Sequence, residues 1–182
     1  PVLCLGEGLY PAWLATFFRY DAFTTISVFD YFLFEGAIGI VSLALAFAAR
    51  RGTPLWANRT AVLLTGASMV GGAALIVVAC FAVPVPVLKV AGLLAAGGGL
   101  GSLILMWAEF YGSLNPMRVA LYHALAIFVG EVVKWLFMGM SVPYLAFFSI
   151  VLPLVCLACV RWSMRRLAGR ALPPAMNEGD PR

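Results

Sequence analysis

Six apolar runs, parted by short clusters of charged residues, proline and asparagine, set the pattern of the chain. The first, Leu3 to Phe18, contains Glu7 and Pro11 and is closed by Arg19-Tyr20-Asp21. The second, Thr24 to Ala49, ends at Arg50-Arg51-Gly52. The third, Thr60 to Val83, stops at Pro84-Val85-Pro86, where a missing N–H and a fixed φ break a helix. The fourth, Val87 to Ala108, carries Lys89 in its first turn and ends at Glu109. The fifth, Met117 to Gly139, follows Asn115-Pro116, a turn signal with proline well placed for a helix start. The sixth, Pro143 to Trp162, runs out into Arg161, Arg165, Arg166 and Arg170. One bilayer crossing takes about 20 apolar residues. Runs two to six therefore predict membrane-spanning helices, and the shorter first run predicts a clipped span in preference to a surface helix. The opening Pro1-Val2-Leu3, with no initiator Met and no signal-peptide pattern, reads as an internal cut or a processed end.

Composition makes the membrane reading compulsory. Of 182 residues, 63% are hydrophobic and 11% charged, with a mean hydropathy of +0.99, whereas soluble domains run at about 45–50% and about 25%. A soluble enzyme is excluded, and so is a disordered chain, which is defined by too little apolar surface to bury. The fold class expected is an all-α integral membrane protein with about six transmembrane helices. Residues 1–172 form the bundle, and residues 173–182 a polar cytoplasmic tail or linker. The formal charge of +4 is not a nucleic-acid patch, because its arginines cluster at the ends of the apolar runs. Arg50, Arg51 and Arg59, then Arg118, then the arginines after run six all fall on one side when the loops alternate. The positive-inside rule makes that side, and the C-terminus, cytoplasmic in an inner membrane. Cys4, Cys80, Cys156 and Cys159 lie in apolar surroundings and read as packing residues; a redox C-x-x-C would begin a helix after a strand.

Charges at membrane depth cost about 2.5–3.5 kcal/mol each on insertion scales and need a partner or a purpose. Asp30 and Glu35 in run two, with Glu131 and Lys134 in run five, are expected to share one layer in the outer half of the membrane. Three readings of this layer stay open: Glu131 and Lys134 neutralise each other at i,i+3, Lys134 bridges to Asp30 or Glu35, or the layer lines a cavity for a ligand or proton. Trp135, beside Lys134, is a candidate cation–π partner or cavity wall. The other tryptophans, Trp13, Trp56, Trp107 and Trp162, read as headgroup anchors. His123, the single histidine, reads as a packing or hydrogen-bonding residue, and no metal-ligand spacing accompanies it. Gly97-Gly98-Gly99-Leu100-Gly101 lies inside an apolar run without a Lys-Ser/Thr after it, so Gly97 and Gly101, like Ser68 and Gly72, predict close helix packing and not phosphate binding. No cofactor or metal is expected, and no nucleophile–base pair suggests an enzyme.

The stretch Trp107-Ala108-Glu109-Phe110-Tyr111-Gly112-Ser113-Leu114-Asn115-Pro116-Met117-Arg118-Val119-Ala120-Leu121-Tyr122 is a polar hinge between two spans. It resembles the inner loop of the membrane-embedded LuxR-type transcriptional regulators of actinobacteria. Gly8-Leu9-Tyr10-Pro11-Ala12-Trp13 is similar to the start of the first span in that family. The resemblance implies the first six-helix half of a major-facilitator-like membrane domain, with a second half and a C-terminal helix-turn-helix as partners. Arg50-Arg51-Gly52 and Arg59 follow the second run without the acidic residue of the transporter loop. The implied function is the sensor or anchor portion of such a regulator, taking a small-molecule ligand and binding no nucleic acid itself. Half of a major-facilitator-like secondary transporter is the alternative, and a purely structural membrane subunit a third reading. Within the hinge, Glu109, Tyr111, Asn115 and Arg118 are the candidate residues, with a Glu109–Arg118 salt bridge expected to set the hairpin angle.

Overall fold

The computed structural model describes residues 2–20, 23, 26–49 and 54–168, all of them in helices or short connections. A 3-10 segment, Val2–Gly8, leads into α1, Leu9–Phe18; then follow α2, Val28–Ala49, α3, Arg59–Phe81, α4, Pro86–Gly112, α5, Pro116–Phe137, and α6, Val142–Ala168. Five of these, α2 to α6, are long and apolar enough to cross a membrane. The arginines at 50 and 51 and the tail at 173–182 lie outside the described residues. Where the chain turns, local chemistry explains it. Asn58 caps α3 by accepting from the Thr60 and Ala61 amides, and Asn115 caps α5 by accepting from Met117, with Pro116 as the first helical residue. Gly139 ends α5 at φ +86°, a left-handed conformation that a side chain would strain.

The 3-10 segment and α1 form one continuous run. Its seven 3-10 residues and ten α residues reach about 29 Å at about 2.0 and 1.5 Å per residue, close to the thickness of a hydrocarbon core. The run lies parallel to α5 and antiparallel to α6: Glu7 meets His123 and Tyr20 meets Lys134, while Trp13 meets Ser149 and Gly6 meets Cys156. The short first run thus extends along the bundle, because the stretched 3-10 start makes up for its few residues.

The packing partners show a pattern. Helix α4 packs on α2 and α3, the α1 run packs on α5 and α6, and α3 packs on α6. Exchanging α1 with α4, α2 with α5 and α3 with α6 maps these pairings onto themselves, although α4 also packs on α6 while the α1 run has no comparable packing on α3. Because each unit has three helices, α1 and α4 enter from opposite ends. The principal pairings therefore follow the pattern of two inverted three-helix units. One end of the bundle carries the α2–α3 and α4–α5 connections and the C-terminal turns of α6, with Arg59, Arg118, Arg161, Arg165 and Arg166; it is called the basic end below.

Helix α4 is the most enclosed, with Leu93, Leu100, Leu103 and Met106 buried. The glycine reading holds. A Cβ on Gly97 would lie 2.6 Å from the Phe34 carbonyl oxygen, one on Gly101 2.7 Å from that of Ile38, and one on Gly72 2.5 Å from the Ala96 nitrogen. Two tryptophans, in contrast, are not headgroup anchors. Trp13 is 0% and Trp107 2% exposed. Trp13 has a specific task, since Pro153 inside α6 cannot donate to the carbonyl four residues earlier, which belongs to Ser149. The Trp13 indole N–H donates to that oxygen at 2.6 Å. In an apolar surround the orphaned carbonyl needs this second donor.

Candidate functional site

At the basic end, three side chains from three elements converge. Glu7, in the 3-10 segment, is only 7% exposed. Tyr111, in the last turn of α4, donates its hydroxyl to Glu7 Oε2. His123, two turns into α5, places Nδ1 at 3.0 Å from Oε1 and 3.3 Å from Oε2. Which of the two carries the shared proton follows from the tautomer of the ring, since an imidazole nitrogen can donate or accept. The Tyr111 and His123 rings meet edge to face, 6.1 Å apart. Glu7 lies there because Gly6 and Gly8 let the backbone touch its neighbours: a Cβ on Gly8 would collide with the Ala126 carbonyl, and one on Gly6 with Cys159. The Cys156 thiol donates to the Gly6 carbonyl at 3.0 Å and accepts from the Trp107 indole at 3.5 Å.

The polar hinge is likewise tied to distant parts of the bundle. Glu109 accepts from the backbone amides of Leu55 at 2.8 Å and Trp56 at 3.3 Å, and so clamps the α2–α3 connection to α4. The expected Glu109–Arg118 salt bridge is not formed among the described residues, where Arg118 is exposed. Helix α4 continues through Glu109 to Gly112, so these carboxylate oxygens reach sideways toward the neighbouring connection and not across the turn. Asn115 does serve the turn, as the α5 cap.

At the opposite end the anticipated layer divides into local groups. Asp30 pairs with Lys89 of α4 at 2.8 Å. It also forms a reciprocal capping box with Ser27: Oδ2 accepts from the Ser27 amide at 2.7 Å while the Asp30 amide donates to Ser27 Oγ at 3.3 Å. The S-x-x-D pattern starts α2 at Val28, four residues later than the apolar run suggests, so Asp30 sits at a helix end and not deep in a span. Lys89, read only as a flank of run four, is its partner. Glu35 lies one turn from Tyr31 on α2. Glu131 pairs with Lys134 at 2.6 Å on its own helix and with Arg19 at 3.9 Å. No ion pair joins Lys134 to Asp30 or Glu35 among the described residues, since α2 packs on α4 and α5 on the α1 run. Trp135 is 69% exposed. A cavity of about 330 Å³ does lie near Asp30, walled by Phe17, Phe18, Phe23 and Tyr31 with Ser27.

Glu7 is the residue that sequence reading passes over. A carboxylate in a short apolar run between two glycines was its signal, but its partners are more than 100 residues away. No cluster of three metal-ligating side chains occurs among the described residues. Compared with protein-family models, with curated proteins and with solved structures, the chain matches none.

Proposed function

We propose that this chain is the membrane-embedded sensor and anchor portion of a LuxR-type transcriptional regulator whose DNA-binding domain lies outside it. What supports the reading is the brace at the basic end. Trp107, Glu109 and Tyr111, all in the stretch that resembles the regulator loop, reach α6, the α2–α3 connection and the entry segment respectively. A change in helix arrangement caused by a ligand would be felt at this brace, beside the helix from which the chain leaves the bundle. Such a response requires a ligand that binds two arrangements unequally. In this reading the membrane is the inner membrane, the basic end and the C-terminus are cytoplasmic, and a second six-helix half follows.

Expression profiling tests it. Alleles encoding Tyr111→Phe and Glu109→Gln, expressed from the native gene, should alter the same transcripts as a deletion while leaving membrane levels of the protein unchanged. A deletion that alters no transcripts defeats the regulator reading. A fluorescent protein fused after Arg182 that fails to fluoresce would overturn the cytoplasmic C-terminus.

A specific observation favours the alternative, half of a major-facilitator-like transporter: the exchange pattern of inverted three-helix units is the one on which secondary transporters build midplane sites. Substrate-dependent uptake in proteoliposomes, lost in Glu7→Gln and retained in Glu131→Gln, would shift the assignment to transport.

A further inference from the structure

Helices α3 and α6 leave a groove of about 530 Å³ on the outer surface of the bundle. It opens where small residues replace bulk: Gly66 and Ala67 on α3 face Ala158 on α6, with Leu63 and Leu154 at the rims. Both leucines are largely exposed, so the groove faces outward, into the space that lipid fills around a membrane bundle. Every lining residue is apolar except Arg161, which stands at the basic end. Val62, one turn into α3, lines the same groove, and Arg59 begins that helix, so the mouth lies at the level where α3 leaves the apolar layer. From Leu154 to Arg161 the α6 wall runs about 10 Å at about 1.5 Å per residue.

The charge in this mouth is unmatched. Among the described residues no carboxylate lies within ion-pair distance of Arg161. Arg166, by contrast, stacks its guanidinium on the Trp162 ring at 5.3 Å. An apolar groove of about 530 Å³, ending in a planar fork of donors at headgroup level, matches one ligand chemistry: a hydrocarbon tail joined to an anionic phosphate. Arginine suits phosphate because its parallel N–H groups engage two oxygens at once, and basic pockets between helices at this level bind anionic lipid headgroups.

We propose that the α3–α6 groove is a binding site for an anionic phospholipid, with one acyl chain between Gly66 and Ala158 and the headgroup phosphate on Arg161. The site stands apart from the Glu7 cluster and holds under either functional reading, because it rests on α3 and α6 alone.

The test uses the full chain in nanodiscs, comparing phosphatidylglycerol with phosphatidylcholine by native mass spectrometry of retained lipid. Wild type should retain phosphatidylglycerol preferentially, and Arg161→Gln should reduce that preference about fivefold, the usual weight of one basic residue at a charged surface. Ala158→Leu, at an exposed position that core packing does not use, should reduce retention of both lipids by filling the channel. Arg166→Gln is the control for general surface attraction and should leave the preference in place. Equal retention of the two lipids by wild type overturns the proposal, as does an equal loss in Arg161→Gln and Arg166→Gln.

Discussion

Helix α4 and the α1 run occupy exchange-related places, each wedged between two helices of its own side, yet they are held there by different means. Helix α4 is a regular helix of 27 residues. It seats largely by surface shape: Gly97 and Gly101 admit α2, Gly92 and Gly99 admit α3, and polar links are added at its two ends and middle by Lys89 to Asp30, Ser42 to the Gly101 carbonyl, and Glu109 to the Leu55 and Trp56 amides. The α1 run has fewer residues and a stretched beginning, and it is stitched by hydrogen bonds. Tyr111 and His123 hold Glu7, Cys156 holds the Gly6 carbonyl, Trp13 holds the Ser149 carbonyl, and the Tyr20 hydroxyl donates to the Lys134 carbonyl at 2.6 Å. A long glycine-faced helix gains its contacts along many turns, because backbones in close contact pack well without water. A short run cannot, so directional bonds in an apolar surround take over.

This contrast can be broken at several points. The largest effect should come from Gly97→Leu, which drives a side chain against the Phe34 backbone; overpacking costs typically about 1–3 kcal/mol and more where no rotamer escapes. The expected outcome is loss of monodisperse protein in detergent. Next, Trp13→Phe should cost about 1–3 kcal/mol, the penalty of an unsatisfied buried acceptor, read as a lowered midpoint in thermal unfolding. The cost should shrink in a Pro153→Ala background, because the restored amide then serves Ser149. Equal costs in the two backgrounds would refute the division of labour between Trp13 and Pro153. Ser42→Ala, in the shape-held half, should cost only about 0.6 kcal/mol, the average for a hydrogen bond between membrane helices. Last, Glu131→Gln should leave the unfolding midpoint unchanged within error, since the Glu131 side chain stands out from the bundle and its contact with Arg19 is long at 3.9 Å. A large loss there would place Glu131 in a protected site.

How much of this was legible depends on the range of the interaction involved. Spans, turns and caps were, since each rests on neighbours in the chain: the Pro84-Val85-Pro86 break, the Asn115 cap and the glycine face of α4 stand where the pattern put them. The Ser27–Asp30 box was equally local and was readable, but it is hidden inside a continuous apolar run. The partners of Glu7, Lys89, Glu109 and Trp13 were not legible. They lie 53 to 136 residues away, from the Trp56–Glu109 separation to that of Trp13 and Ser149, and no spacing rule relates residues on different helices.

The amino-acid order alone settled that this chain is a bundle of membrane helices, where α3 to α6 start, and which faces are small enough to touch. It could do so because hydrophobic burial and backbone satisfaction act over a turn or a span. Only the tertiary structure decided which charge meets which, because a pair of side chains meets only when two helices have both their rotation and their depth set. Those two quantities come from packing against third parties. For Glu7 they come from Gly6 against Cys159 and Gly8 against Ala126, and for Lys89 from the seat of α4 on α2.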